Sequence, residues 1–206
     1  MFKRICKIFF IRHGSTIYTE QNRLYDLEDY PPLNEDGKDE MTKVAKWLRM
    51  NNSNIDKIYT SSSLRSIQSA RIISKECKTD FEILDKLYER RAGIWGGLTF
   101  DQIEAKYPDM LQQYHVNPCS FWPEGGESTI DVNSRVKTAV ESIVNTNYQK
   151  RIVVITHSGV IQSAISSALD VPPKSQAKIY VPNGSITQIN YYTEWASLVY
   201  SGCIPD

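Results

Sequence analysis

The chain has 206 residues, 41% of them hydrophobic and 23% charged, a globular composition that excludes a disordered chain or a coiled coil. Its 24 basic and 24 acidic side chains cancel, so a polyanion-binding surface of the kind that grips nucleic acid is not expected, whereas a small anion needs only local positive charge. The four cysteines (Cys6, Cys77, Cys119 and Cys203) show no CxxC pair or zinc spacing, and no apolar run reaches membrane-spanning length. In chain order, residues 5–11 form a short apolar run ending at Arg12-His13-Gly14, as a buried strand would. Lys7 interrupts that run and no small-residue cleavage site follows, so the N-terminal stretch does not read as a leader, and a soluble cytoplasmic protein is expected. Met41, Val44, Ala45 and Leu48 recur at helical spacing over residues 34–50, with Asn34 as N-cap. A second strand is predicted over 55–60, a helix over 61–75 and a short third strand over 81–84.

Residues 89–127 break this rhythm with Gly-rich turns and many aromatics, and short helices are predicted only over 102–114. So long an insertion in a compact domain is usually functional. Ser128 and Asp131 then read as a capping box for a helix running to Val144. Arg151-Ile-Val-Val-Ile155 is a buried strand, followed by a helix over 158–169. Residues 178–200 alternate like strands, with Asn183-Gly184 as a turn between two of them. The fold class expected is α/β: a three-layer α/β/α sandwich with a mostly parallel central sheet. Residues 1–206 would form a single domain with a lid-like insertion at about 90–127.

Two histidines, His13 and His157, each follow a predicted strand. Ligands of open α/β sheets bind beyond the carboxyl ends of the strands, so both are expected at one rim. The strand over 55–60 delivers Arg65 to that rim, and the segment ending Leu87-Tyr88-Glu89 delivers Glu89. Arg12 and Arg65 offer donor forks matched to phosphate oxygens, and the amides at the start of the Ser158 helix add partial positive charge. In such a pocket a neutral imidazole is a competent nucleophile towards phosphorus, the other histidine stabilises charge, and Glu89 protonates the leaving oxygen. Taken singly, each residue also has a structural explanation; the reading rests on the set. His115, in a polar loop without such context, is read as surface.

Arg12-His13-Gly14-Ser15-Thr16 resembles the signature block of the histidine phosphatase (phosphoglycerate-mutase-like) superfamily. The blocks starting at Pro32, Ser61, Leu87, Pro123, Val154 and Pro182 are similar to later family blocks, in family order and over nearly the whole chain. The resemblance implies a phosphohistidine on His13, a clamp of Arg12, Arg65 and His157, Glu89 as proton donor, and no metal or cofactor. Thr19 stands where the family often has a phosphate-binding asparagine, and its hydroxyl is expected to substitute. Ser158 replaces a glycine, where the backbone amide is expected to matter more than the side chain. Gly96 replaces a glutamate and Ser66 an alanine. The chain lacks the extra sequence of the longer mutases, which favours hydrolysis of a small phosphorylated metabolite over isomerisation. A cofactor-dependent mutase and a non-catalytic binding protein remain the alternatives. Phosphoserine, phosphoglycerate, sugar phosphates and α-ribazole phosphate stay open as substrates, and the protein is expected to be a monomer or homodimer without nucleic-acid or membrane partners.

Overall fold

The computed structural model describes residues 4–26, 31–51 and 54–206; Met1 to Lys3, the start of the stretch weighed as a leader, lie outside them. A six-stranded sheet runs in the order β3-β2-β4-β1-β5-β6, with β1 (Arg4–Arg12), β2 (Lys57–Thr60), β3 (Phe81–Ile83), β4 (Lys150–Thr156), β5 (Ile186–Tyr192) and β6 (Ala196–Cys203). The first four strands are parallel; β5 runs antiparallel to both β1 and β6. Strand alternation explains why residues 8–11 of β1 and 152–155 of β4 read as unbroken apolar runs. Ile8, Phe10, Ile152 and Val154 face one layer, while Phe9, Ile11, Val153 and Ile155 face the other, so both faces are covered. Each such side chain is fully buried and contributes roughly 1.5–3 kcal/mol.

One layer holds α6 (Thr129–Thr146) and α7 (Ser158–Leu169); the other holds α2 (Glu35–Asn51) and α3 (Leu64–Cys77). This is the expected α/β/α sandwich. Asn34 caps α2, its Oδ1 accepting from the Gly37 amide at 2.8 Å, and Met41, Val44, Ala45 and Leu48 are buried. Ser128 and Asp131 form the predicted capping box of α6. The helix predicted from residue 61 starts three residues later, because the Ser63 side chain caps it by accepting from the Ser66 amide.

Two readings need correction. Asn183-Gly184 does not link two strands: it precedes β5, and the hairpin between β5 and β6 turns at residues 193–195. Residues 179–185 form no strand, because their polar groups are committed elsewhere. Asn183 Nδ2 and the Gly184 amide both donate to the carbonyl of His13, at 3.1 and 3.4 Å. A short helix that periodicity did not suggest, α1 (Ile17–Glu20), is held by a Thr16–Thr19 capping box. In the insertion, α4 (Phe100–Lys106) and α5 (Pro108–Val116) cover the predicted helical stretch, and His115 lies exposed on α5 rather than in a loop. The insertion's aromatics pack mainly on one another: Trp95 is fully buried against Tyr114 and Trp122, while Phe100 is 44% exposed.

No helix among the described residues is long and apolar enough to cross a membrane.

Candidate active site

The carboxyl ends of the parallel strands meet at one rim. His13 follows β1, His157 follows β4, and Arg65 comes from the first turn of α3 behind β2. Glu89 follows the single-turn helix after β3. His13, Arg65 and His157 are at most 2% exposed. The loop after β1 is pinned by a backbone contact: a Cβ on Gly14 would sit 2.3 Å from the Gly37 carbonyl oxygen, so glycine lets the start of α2 close on it.

The two imidazoles lie 5.1 Å apart, bridged by one guanidinium. Arg65 Nε donates to His13 Nε2 and Nη2 to His157 Nδ1, each at 3.2 Å. Because a guanidinium only donates, those two ring nitrogens carry lone pairs. His13 then holds its proton on Nδ1, which donates to the Gly14 carbonyl at 2.8 Å. His157 holds its proton on Nε2, which donates to Ser61 Oγ at 2.8 Å. The tautomers are opposite, and both lone pairs point at the same cation. Ser61 in turn contacts Ser63, and Ser63 contacts Ser66, which gives the serine in place of alanine a hydrogen-bonding role.

Burial holds both histidines well below the usual imidazole range, and the charge of Arg65, with a smaller effect of Arg12, lowers them further. The free site therefore contains two neutral imidazoles near pH 7. Tyr25 supports the cation from below: its ring centroid lies 3.7 Å from Arg65 Cζ, and its hydroxyl meets Thr16 Oγ1 at 2.5 Å.

Arg12 donates through Nη1 to the Val181 carbonyl at 2.7 Å, while its Nε is buried without a partner. An orphaned buried donor on a cation is the feature an anion would satisfy. Glu89 Oε1 accepts from the Arg90 amide at 2.8 Å and Oε2 from Ser158 Oγ at 3.2 Å. Ser158 thus uses its side chain on Glu89, leaving the first amides of α7 to face a ligand. Gly159 makes room for that carboxylate, since a Cβ there would lie 2.6 Å from Glu89 Oε1. Thr19 borders the site, but its hydroxyl donates to the Thr16 carbonyl and accepts from the Thr16 amide, both at 2.8 Å. A donor role towards phosphate would require that cap to open.

A cavity of about 470 Å³ opens here, walled by Arg12, Tyr25, Glu89 and Ser158 together with Arg23, Arg90 and the aromatic Trp122. A smaller cavity of about 290 Å³ lies between α6, α7 and the β5–β6 turn, and its one cation, Lys137, is matched there by Glu141 and Glu194. Among the described residues no group of three or more His, Cys, Asp or Glu is placed to hold a metal ion.

Behind Glu89 stands a buried ion pair that sequence reasoning missed, since Arg135 reads as one more arginine on an amphipathic helix. Arg135 forks onto Glu127 with both bonds at 2.9 Å. Burial raises the Glu127 carboxyl, but the hydrogen bonds and charge of Arg135, helped by the Arg91 amide and Tyr88, outweigh it and hold the group below the ordinary glutamate value. A depressed carboxyl contributes stability above its unfolded value and loses it as pH falls through the folded one. The urea midpoint of the wild type is therefore expected to fall below about pH 4.5, the ordinary value. Glu127→Gln, already lacking the charge, should start lower and fall less over the same range; parallel curves would contradict this. The buried histidines titrate in both proteins and cancel in the difference.

The sequence matches the histidine phosphatase superfamily (branch 1) over residues 8–203. A bifunctional protein of Mycobacterium tuberculosis is 27% identical, with 94% of this chain and 52% of that protein covered; the chain spans about half the length of such mycobacterial relatives. Phosphoserine phosphatase 1 of Hydrogenobacter thermophilus is 26% identical over 80% of this chain and 77% of its own. Among solved structures, YhfR of Bacillus stearothermophilus superposes with a TM-score of 0.88 at 26% identity, covering 97% of this chain and 98% of that one.

Proposed function

Since the chain belongs to the histidine phosphatase superfamily, branch 1, we propose that it is a phosphomonoesterase acting on a small phosphorylated metabolite through a phosphohistidine on His13. The observation that carries this reading is the His13 tautomer: Nδ1–H is fixed on the Gly14 carbonyl, which leaves the Nε2 lone pair beside the Arg65 guanidinium. In this reading the phosphoryl oxygens take over the Arg65 donors from the two rings and satisfy the orphaned Arg12 Nε. His13 Nε2 then attacks phosphorus in line with the ester oxygen, the P–O bond breaks, and Glu89 gives its proton to the departing oxygen. The resulting carboxylate takes a proton from water as the hydroxide attacks phosphorus. The N–P bond breaks, and inorganic phosphate leaves with His13 restored. His157, gaining a proton as the anion binds, donates to the same phosphoryl group. Two arginines and the protonated His157 supply the charge, so the reading needs no metal. The insertion at 90–127 would act as a lid-like wall over the leaving group, within one domain formed by residues 1–206.

The test is phosphate release, with a chelator present, from p-nitrophenyl phosphate and a panel of metabolite esters. Phosphoserine leads the panel because the Hydrogenobacter relative is named for it, followed by 3-phosphoglycerate, α-ribazole phosphate and sugar phosphates. Release is expected from at least one natural ester. No release, with 3-phosphoglycerate isomerised only when a bisphosphorylated primer is added, would make the protein a mutase. Inactivity in both assays would overturn the enzymatic reading.

A further inference from the structure

We propose that Arg135 and Glu127 are positioning residues for Glu89, fixing the backbone of residues 86–91 so that its carboxyl meets the leaving oxygen. The proposal rests on the reading of Glu89 as proton donor. Neither residue lines the cavity, yet nearly every bond the pair makes outside itself goes to the segment that carries Glu89. Arg135 Nη1 donates to the Lys86 carbonyl at 2.9 Å and Nη2 to the Glu89 carbonyl at 3.3 Å. Glu127 accepts from the Tyr88 hydroxyl at 2.9 Å and from the Arg91 amide at 3.1 Å. The Glu127 amide donates to the Arg91 carbonyl at 3.0 Å, and the Arg135 guanidinium lies 3.7 Å over the Tyr88 ring. Residues 86, 88, 89 and 91 are thus held from one side by one ion pair.

Stability alone does not account for such a device. The side chains are 4% and 11% exposed, and a buried ion pair commonly stabilises a fold no better than apolar side chains of the same volume. What apolar side chains cannot do is hold two carbonyls and an amide at fixed positions. The Glu89 carboxylate depends on that placement, because the Arg90 amide and Ser158 hydroxyl that orient it meet it only where the backbone now runs. A catalytic group displaced by about 1 Å loses on the order of a hundredfold in rate.

The experiment compares kcat/KM for p-nitrophenyl phosphate, whose leaving group departs without a proton, with kcat/KM for the best alkyl phosphate. It is run on wild type, Glu89→Gln, Arg135→Met, Arg135→Lys and Glu127→Gln. Glu89→Gln should lower kcat/KM for the alkyl ester by roughly 10²- to 10⁴-fold and for the aryl ester far less, while kcat falls for both because the carboxylate that deprotonates water is gone. Arg135→Met and Glu127→Gln should show the same selectivity at smaller size, about tenfold to a hundredfold on the alkyl ester, with Arg135→Lys between them and wild type. The ratio of the two substrates does not depend on how much of a variant is folded, so partial misfolding cannot imitate the result. If Arg135→Met lowers both esters in equal proportion, or neither, while Glu89→Gln stays selective, the pair only holds the fold together and the proposal fails. If Glu89→Gln is itself unselective, Glu89 is not the proton donor, and the positioning proposal falls with that reading.

Discussion

His13→Ala is expected to abolish phosphate release from every ester the wild type hydrolyses, a loss on the order of 10⁴-fold or more. The imidazole is the group whose lone pair faces the Arg65 guanidinium with its other nitrogen already committed to a carbonyl, so no neighbour can replace it. His157 cannot substitute, because its lone pair is on Nδ1 and its ring is tethered through Ser61 from the opposite side. The variant should remain folded, since its Asn183 and Gly184 contacts are made through the backbone carbonyl of residue 13 and survive the substitution. Protein labelled with a phosphate donor and quenched in alkaline denaturant should carry base-stable, acid-labile phosphate in the wild type and none in the variant. Turnover persisting in His13→Ala would remove the covalent mechanism altogether.

Arg65→Ala should rank second, with a loss on the order of 10³-fold or more in kcat/KM, the scale at which arginine stabilises a phosphoryl transition state. The residue holds both imidazoles in register and supplies buried positive charge over the Tyr25 ring. Removing it has a second consequence with a definite sign. Burial depresses both histidines and the Arg65 charge depresses them further, so deleting that charge should raise them. The residual activity of Arg65→Ala should therefore fail at a higher pH on its acid side than the wild type does, because His13 is protonated sooner. An unchanged or lower acid limb would contradict the electrostatic account. Thermal stability is expected to hold or rise, since the variant no longer buries a cation in the absence of substrate.

The sheet and helices could be read from periodicity because strands buried on both faces leave unbroken apolar runs, as at residues 8–11 and 152–155. Caps were equally legible: Asn34 and Ser128 act through their own side chains on amides three residues away, an interaction that is local in sequence. The strand ends placed His13, Arg65, Glu89 and His157 at one rim because the topology of a parallel sheet leaves no other edge for them. The misses share a cause, which is that their partners are far away in the chain. Asn183-Gly184 has the composition of a hairpin turn, yet its donors serve a carbonyl at residue 13. Arg135 carries no local mark at all, since what distinguishes it is a contact with residues 86, 89 and 127.

The central position of β1 has a bearing on how the chain reaches this structure. Phe9 pairs on one side with Val153 and on the other with Gln188, so the strand that leads into His13 acquires its neighbours only after most of the sequence has been made. During synthesis the apolar stretch at residues 8–11 of this strand must wait, unpaired, for partners encoded near the far end. That is a topology of high contact order, slow to close and exposed to association between nascent chains. Enzymatic activity would then be among the last properties to return on refolding, trailing helix content. Chaperone demand should be set by β1 rather than by the lid-like segment that looks more irregular.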